Sequence, residues 1–346
     1  MNLSSAIPVF ALDIQPTDHV LDMCAAPGIK LLLTAEFMAQ KWMAMRSAVG
    51  SEKGTTHFNC ADEAGYGTVT GVDIHRHRAL NCRSLVSSVD LLVNSRIRLY
   101  VSDATKFDTP PPHDRWWDIG EKRAWLAAQR EEQARIGAAA GKKAMHNYLK
   151  SRFNSQLPWH ASKALRDPFS LGPQGKLYDK VLIDAECTHD GSMSSISKYR
   201  SRGLERLATD VLNPERLKQV CNLQSRLLEN GWRLLRPGGL LVYSTCSLLP
   251  SQNEQVVLEF LDRHSDTAVL EPIPQVKIPS LGPQVAPGVR PADEERMINK
   301  LRHCVRLDPR VSNTSGMFIA RLRKCSGFMV DYQSSDAPTT PNPMGS

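Results

Sequence analysis

Five short segments carry the residues whose types could do chemistry. Leu21-Asp22-Met23-Cys24-Ala25-Ala26-Pro27-Gly28-Ile29-Lys30 sets small residues and a Pro-Gly turn directly after an apolar run. Small side chains there let a ligand approach the backbone, and a helix starting at the turn offers free N–H groups to it. Gly71-Val72-Asp73 and Ser102-Asp103-Ala104 each end an apolar run with an acid. A carboxylate at the first of these places can accept both ribose hydroxyls of an adenosine. Asp184-Ala185-Glu186-Cys187-Thr188 and Ser244-Thr245-Cys246-Ser247 each end an apolar run with a cysteine. One such cysteine would read as a small core residue. Two at the ends of neighbouring strands, beside a ligand loop, point to covalent catalysis by a thiol.

These segments need elements to hold them. Residues 18–23, 68–74, 97–102, 178–184, 240–245 and 317–322 are short apolar runs of strand length, and 178–184 has the continuous apolar character of a strand covered on both faces. Helical patterns follow over 29–46 and 75–89. Asn213-Pro214-Glu215 opens a helix to about Leu235, which stops before Pro237-Gly238-Gly239. Ser251-Gln252-Asn253-Glu254 reads as a capping box for a helix to about His264. Strands alternating with helices predict an α/β fold, a doubly wound and mostly parallel sheet. Its ligand lies beyond the C-terminal strand ends, where every chemical segment falls.

Two stretches interrupt this plan. Residues 104–176 hold 13 Lys and Arg against 7 Asp and Glu, and four of the six tryptophans: Trp116, Trp117, Trp125 and Trp159. That excess supplies nearly all of the net charge of +7 and marks the segment as a candidate RNA contact, by phosphate neutralisation and base stacking. A solvated insertion with tryptophans packed on the core is the equal alternative. Residues 271–300 are Pro-rich and read as a surface loop, and the polar tail after Phe328 reads as disordered. A domain over 1–325, interrupted at 104–176, with a tail from 326, is the expected organisation.

With 41% hydrophobic residues in 346, the chain can bury a large core, and no apolar run is long enough to span a membrane. None of the eight cysteines forms a Cys-x-x-Cys pair, and no Cys/His cluster has zinc spacing, so no metal is expected. Residues 1–11 carry no charge, unlike a secretory or mitochondrial leader. Free thiols in a reducing compartment, nucleus, nucleolus or cytoplasm, are expected.

The run Asp-x-Cys-Ala-Ala-Pro-Gly-x-Lys at 22–30 resembles the S-adenosylmethionine loop of the RsmB/Nop/Sun family of RNA cytosine-C5 methyltransferases. Asp184-Ala185-Glu186-Cys187 and Ser244-Thr245-Cys246-Ser247, with Pro250, Asn253 and Glu254 after them, resemble that family's Asp-Ala-Pro-Cys and Ser-Thr-Cys-Ser…Pro…Asn-Glu motifs. Ser315 to Ala320 resembles its closing strand. The likeness covers about residues 5–105 and 177–325. It implies a Rossmann-like seven-stranded fold and S-adenosylmethionine held by Cys24, Ala25, Ala26, Pro27, Gly28, Ile29, Lys30, Asp73, Asp103 and Asp184. It also implies methyl transfer to C5 of cytosine in tRNA or rRNA. In that reaction Cys246 attacks C6, Cys187 assists release, Asp184 holds the cytosine edge and Lys30 sits beside the thiolate. The implied partner is RNA with its target in a loop or flipped out, and no membrane. The sequence begins where the family's catalytic domain begins, so the family's usual N-terminal RNA-binding domain is expected either to be absent or to lie outside this sequence, and a protein partner is an expectation that follows.

The sequence departs from the family pattern in four places. Glu186 stands for a proline, Ile29 for the loop's second glycine, Leu31 for a threonine, and Thr188-His189-Asp190 for a Ser-Gly turn. A carboxylate next to Cys187 should disfavour its thiolate. The competing reading is an RNA-binding assembly factor on a methyltransferase fold whose activity is lost or secondary. A DNA cytosine methyltransferase would place its nucleophile in a Pro-Cys pair, which Cys187 lacks.

Overall fold

The computed structural model describes residues 3–48, 67–112, 158–161, 175–203, 213–273 and 291–326, with isolated positions between them. One sheet runs through the molecule. Its strands are β1 His19–Asp22, β2 Thr68–Asp73, β3 Ile97–Val101, β4 His160–Ala161, β5 Tyr178–Asp184, β6 Leu235–Thr245, β7 Ala268–Glu271, β8 Val305–Leu307 and β9 Met317–Lys324. The order is β4-β3-β2-β1-β5-β6-β9-β7, with β8 also on β9. The pairs among β3, β2, β1, β5 and β6 are parallel, while β9 runs antiparallel to β6, β7 and β8. Seven of these strands make the predicted doubly wound sheet. The short β4 and β8 are additions at its rim.

Alternation along the strands sorts the core onto two faces. Val20, Leu182, Val242 and Ile319 face one apolar layer, built with Leu31, Ala35 and Met38 of helix Ile29–Ala48 and Cys82 and Val86 of helix Arg76–Ser87. Their neighbours Leu21, Val181, Ile183, Leu241, Tyr243, Phe318 and Ala320 face the other. There they meet Leu227, Leu228 and Trp232 of helix Pro214–Leu234 and Val256, Val257 and Phe260 of helix Glu254–Arg263. Because both faces are covered, the strands have to be apolar throughout. Asn213 caps the long helix as its sequence predicts, its side chain accepting from Glu215 and Arg216 N–H.

Chain order reverses direction across the sheet between β1 and β5. The first half of the chain winds outward through β2 and β3, and the second half winds the other way through β6. At that switch point the loops after β1 and β5 diverge and leave a crevice.

Several sequence expectations differ from the structure. Helix Glu254–Arg263 has no capping box: Asn253 is the cap residue but makes no side-chain cap bond. Glu254 is instead drawn into a buried pair with Arg306 of β8, with Nε to Oε1 at 2.9 Å and Nη2 to Oε2 at 2.5 Å. Arg306 also donates to the Leu248 carbonyl at 2.8 Å, so β8 grips the loop after β6. Residues 271–300 are not all loop, since Pro291–Lys300 is a helix. Their segments 274–282 and 285–290, most of the basic insertion, and the tail after 326 lie outside the described residues. So do Trp116, Trp117 and Trp125, whereas Trp159 packs against the core with the Arg83 guanidinium 5.6 Å from its ring.

The Glu254–Arg306 pair should carry weight that surface pairs do not. Arg306→Ala leaves a carboxylate that is 2% exposed without its cation, and denaturant unfolding should show a loss of about 3–5 kcal/mol. Lys300→Ala, which breaks an exposed pair with Asp262, should change stability by less than about 1 kcal/mol. Equal effects would refute the assignment.

Candidate active site

The crevice at the switch point is a cavity of about 800 Å³. Cys24, Ala26, Pro27, Lys30, Asp73, Asp103, Asp184 and Cys246 all line it. Five strand ends and the loops that follow them thus bring together residues spread over more than 220 positions.

The first loop is shaped by its neighbours. Met23 N–H reaches Leu182 C=O at 3.0 Å and Ala25 N–H reaches Val72 C=O at 3.0 Å, so the chain is held between β5 and β2 as it leaves β1. Gly28 has φ +108°, and a Cβ there would lie 2.7 Å from Cys82 Sγ. Both conformation and space demand glycine. Gly28 and Ala25 serve the loop's shape and do not line the cavity, nor does Ile29, whose side chain is 43% exposed. Asp73 braces the same loop. Its carboxylate accepts from Ala26 N–H at 3.3 Å and His75 N–H at 2.9 Å.

Arg78 was not singled out in the sequence. It donates to the Ala26 carbonyl at 3.0 Å and stands 3.7 Å from Asp73. In the run His75-Arg76-His77-Arg78 only the helical phase selects it, and residue type alone cannot. Ile74, exposed in the cavity directly after Asp73, was missed for the same reason.

The charged centre is Lys30 and Asp184. Lys30 Nζ meets Asp184 Oδ2 at 2.5 Å, and Ser244 Oγ donates to Asp184 Oδ1 at 2.9 Å. Burial pushes the Lys30 ammonium down, but the Asp184 carboxylate outweighs it, with Asp22 and Cys246 adding, and the group stays above its usual value. Asp103 is pushed up by burial, but Thr105 more than offsets this through its hydroxyl and amide, and the carboxyl stays below its usual range.

The two cysteines meet. Cys187 Sγ lies 3.2 Å from Cys246 Sγ, and His189 Nδ1 lies 3.0 Å from Cys246 Sγ and 3.7 Å from Cys187 Sγ. Cys246 faces the cavity, while Cys187 is 1% exposed behind it. The contact with Cys246, then burial, push the Cys187 thiol far up. Glu186 is not among the leading causes. Its side chain is exposed, and its charge is one of those that raise His189. Two thiolates on a tetrahedral zinc stand about 3.8 Å apart, so the cluster is not spaced as a preformed zinc site. Cys24 also lines the cavity, but burial and the Asp22, Asp184 and Asp73 charges hold it as a thiol.

The loop after β6 explains its own motif. Thr245 Oγ1 donates to Asn253 Oδ1 at 2.5 Å and accepts from Ser247 N–H at 3.1 Å, and Asn253 Nδ2 donates to the Ser247 carbonyl at 2.9 Å. Thr245, Ser247, Asn253 and Glu254 are the frame that holds Cys246.

The profile of the family described as 16S rRNA methyltransferase RsmB/F matches residues 109–323. The chain is 25% identical over 331 residues to the rRNA (cytosine-C(5))-methyltransferase NOP2C of Arabidopsis thaliana, covering 92% of this chain and 52% of that protein. It is 38% identical over 120 residues to ribosomal RNA small subunit methyltransferase B of Xylella fastidiosa, covering 34% of this chain and 26% of that one. It thus spans about half the length of the first relative and about a quarter of the second. Among solved structures, NSun6 from Pyrococcus horikoshii with SFG superposes with a TM-score of 0.53 at 19% identity, over 94% of this chain and 53% of that one, which shows a shared fold.

Asp22 yields a test of the buried electrostatics. Burial, then the Asp184 charge, push its carboxyl up to about 7. The folded chain therefore binds this proton more tightly than the unfolded one. The resulting stability is complete below about pH 4, declines as pH rises towards 7 and is gone above that. Asp22→Asn should remove this slope. The difference between wild type and variant should change by on the order of 4 kcal/mol across the window in denaturant titrations. Parallel curves would overturn the shift.

Proposed function

We propose that this chain, which belongs to the RsmB/F methyltransferase family, transfers a methyl group from S-adenosylmethionine to C5 of a cytosine in RNA with Cys246 as nucleophile. The observation that carries the reading is Cys246 at the wall of the cavity that Lys30 and Asp184 also line, with the Cys187 sulfur 3.2 Å behind it. C5 of cytosine is a poor nucleophile toward a methylsulfonium. A thiolate added to C6 makes C5 enamine-like, C5 attacks the methyl, and loss of the C5 proton to solvent as the C6–S electron pair returns to sulfur completes the cycle.

The cofactor, when bound, supplies the methyl group. The cavity suits it. Asp73 and Asp103 offer acceptors for the ribose hydroxyls and the adenine amino group, and exposed Ile74 offers an apolar face between them. Asp184 takes the cytosine N3/N4 edge, oriented by Lys30 on one oxygen and Ser244 on the other. Cys187, kept as a thiol, can donate to the Cys246 sulfur as it leaves C6. C6 is hidden inside a duplex, so the target sits in a loop or is flipped out. The long alignment with an rRNA enzyme makes rRNA the first substrate to test.

Three variants test the reading. Cys246→Ala should abolish methyl transfer and leave S-adenosylmethionine affinity intact in calorimetry. Cys187→Ala should still attack but release slowly, so a denaturation-resistant RNA–protein band should accumulate. Near wild-type methylation by Cys246→Ala would sink the mechanism. An assembly factor without activity would give no RNA adduct in any variant.

The cofactor site is tested separately. Asp73→Asn should weaken S-adenosylmethionine binding by about 1–3 kcal/mol, the cost of losing a hydrogen bond to a buried partner. Unchanged affinity in a folded variant would remove Asp73 from the site.

A further inference from the structure

We propose that His189 is a catalytic residue of this site: it takes the Cys246 proton on Nδ1 and holds the resulting thiolate as an imidazolium–thiolate pair. The inference rests on the reading of Cys246 as nucleophile.

A thiol must ionise before it attacks. Lys30 is the cation the family resemblance assigns to this task, but its ammonium is bound to Asp184 at 2.5 Å. Among the described residues, the polar side-chain atoms in contact with Cys246 Sγ are His189 Nδ1 at 3.0 Å and Cys187 Sγ at 3.2 Å. Cys187 is itself a thiol held far from ionisation, so it cannot accept the proton. The imidazole is the base that remains.

The backbone around His189 supports a purpose. Its φ is +56°, the left-handed region that a residue with a side chain enters at a cost. The neighbours hold it there. Asp190 accepts from Ser247 Oγ at 2.7 Å and Leu248 N–H at 2.8 Å. Gly191 N–H donates to the Cys246 carbonyl at 3.0 Å, and a Cβ on Gly191 would strike that oxygen at 2.7 Å. Thr188 is tied to Gln252 at both its N–H and its hydroxyl. The 188–191 turn is therefore clamped to the loop that carries Cys246, and the clamp aims the ring at the sulfur.

The charges facing the ring favour its protonated form. The Cys187 contact raises it most; burial opposes, and the Asp184 and Glu186 charges add to the rise. Lys30, whose charge Asp184 neutralises, and Asp190, bound to Ser247 and Leu248, complete the charged surroundings. The balance is simple. The S–H bond of Cys246 breaks, its proton goes to Nδ1, and the sulfur keeps the electron pair that forms the bond to C6. Elimination returns that pair to sulfur, and the imidazolium persists through the cycle.

Alkylation of Cys246 by iodoacetamide, read by mass spectrometry across pH, tests this without any RNA. In the intact protein Cys246 should already react at pH 7. In His189→Gly its rate profile should move at least one pH unit toward alkali, about tenfold slower at pH 7, since each unit changes the thiolate fraction tenfold. Added imidazole should restore the rate by refilling the space. Glycine suits φ +56°, so His189→Gly should unfold at the same temperature as the intact protein or higher, and a merely structural histidine would give a lower one. An unchanged alkylation profile in folded His189→Gly would overturn the proposal. If Cys246→Ala abolishes methylation in that case, the nucleophile assignment stands and only the role of His189 falls. If Cys246→Ala still methylates, the nucleophile reading fails, whatever His189 does to the thiol.

Discussion

Everything at the site hangs on the parallel pairing of β5 with β6, which sets Asp184 opposite Ser244. Two consequences follow from one register. The last side chains of the two strands face each other, so Ser244 holds one oxygen of Asp184 and leaves the other to Lys30. The loops that leave the strands then run side by side for several residues, with Ala185 N–H on the Ser244 carbonyl and Gly191 N–H on the Cys246 carbonyl. Those two bonds bracket the cysteines. A slip of one residue would turn every side chain to the opposite face and send Asp184 into the core.

The second layer of control is polar and buried. Gln252 is fully buried: its side chain donates to Thr188 Oγ1 and accepts from Thr188 N–H and from Gln224, and its backbone carbonyl takes the Tyr243 hydroxyl. Gln224 in turn donates to the Glu186 carbonyl. One side chain thus joins the Cys187 loop, the Cys246 loop and the long helix. Networks of this kind are costly when half satisfied, which makes the loop conformation close to all-or-none. The same network fixes the backbone at Glu186 through its carbonyl, while its side chain is exposed.

Much of this was legible in the sequence because the strands are covered on both faces and end abruptly. Continuous apolar runs marked β1, β2, β3, β5, β6 and β9, and the polar or cysteine-bearing segments closing the first five marked the site. What could not be read falls into two kinds. Short rim strands such as β7 and β8 are too brief to carry a period, and they exist because β9 offers them an edge. Side-chain pairings across long sequence gaps, such as Glu254 with Arg306, have no local signature. Glu254 looked like a capping residue because spacing alone cannot tell a carboxylate turned back to its own helix from one claimed by a strand some 50 residues on. His189 was visible only as a departure from a motif, and its distance to Cys246 depends on the clamp.

The cysteines show how position outranks residue type. Cys24 and Cys246 line the same crevice and Cys187 touches Cys246 from behind, yet the three are not equivalent. Cys24 sits among Asp22, Asp73 and Asp184, and those charges, added to burial, oppose a second negative group. Cys187 lies behind Cys246, and two neighbouring sulfurs cannot both ionise cheaply, so burial selects the inner one to keep its proton. Cys246 has the cavity in front of it and an imidazole at its side. In the proposed reaction the same asymmetry serves both halves. The sulfur that can be charged faces the base, and the sulfur that cannot stands behind it as the donor that eases departure. Attack and release thus call on opposite properties of one residue type, and the fold supplies them by setting two cysteines at different depths on adjacent strands.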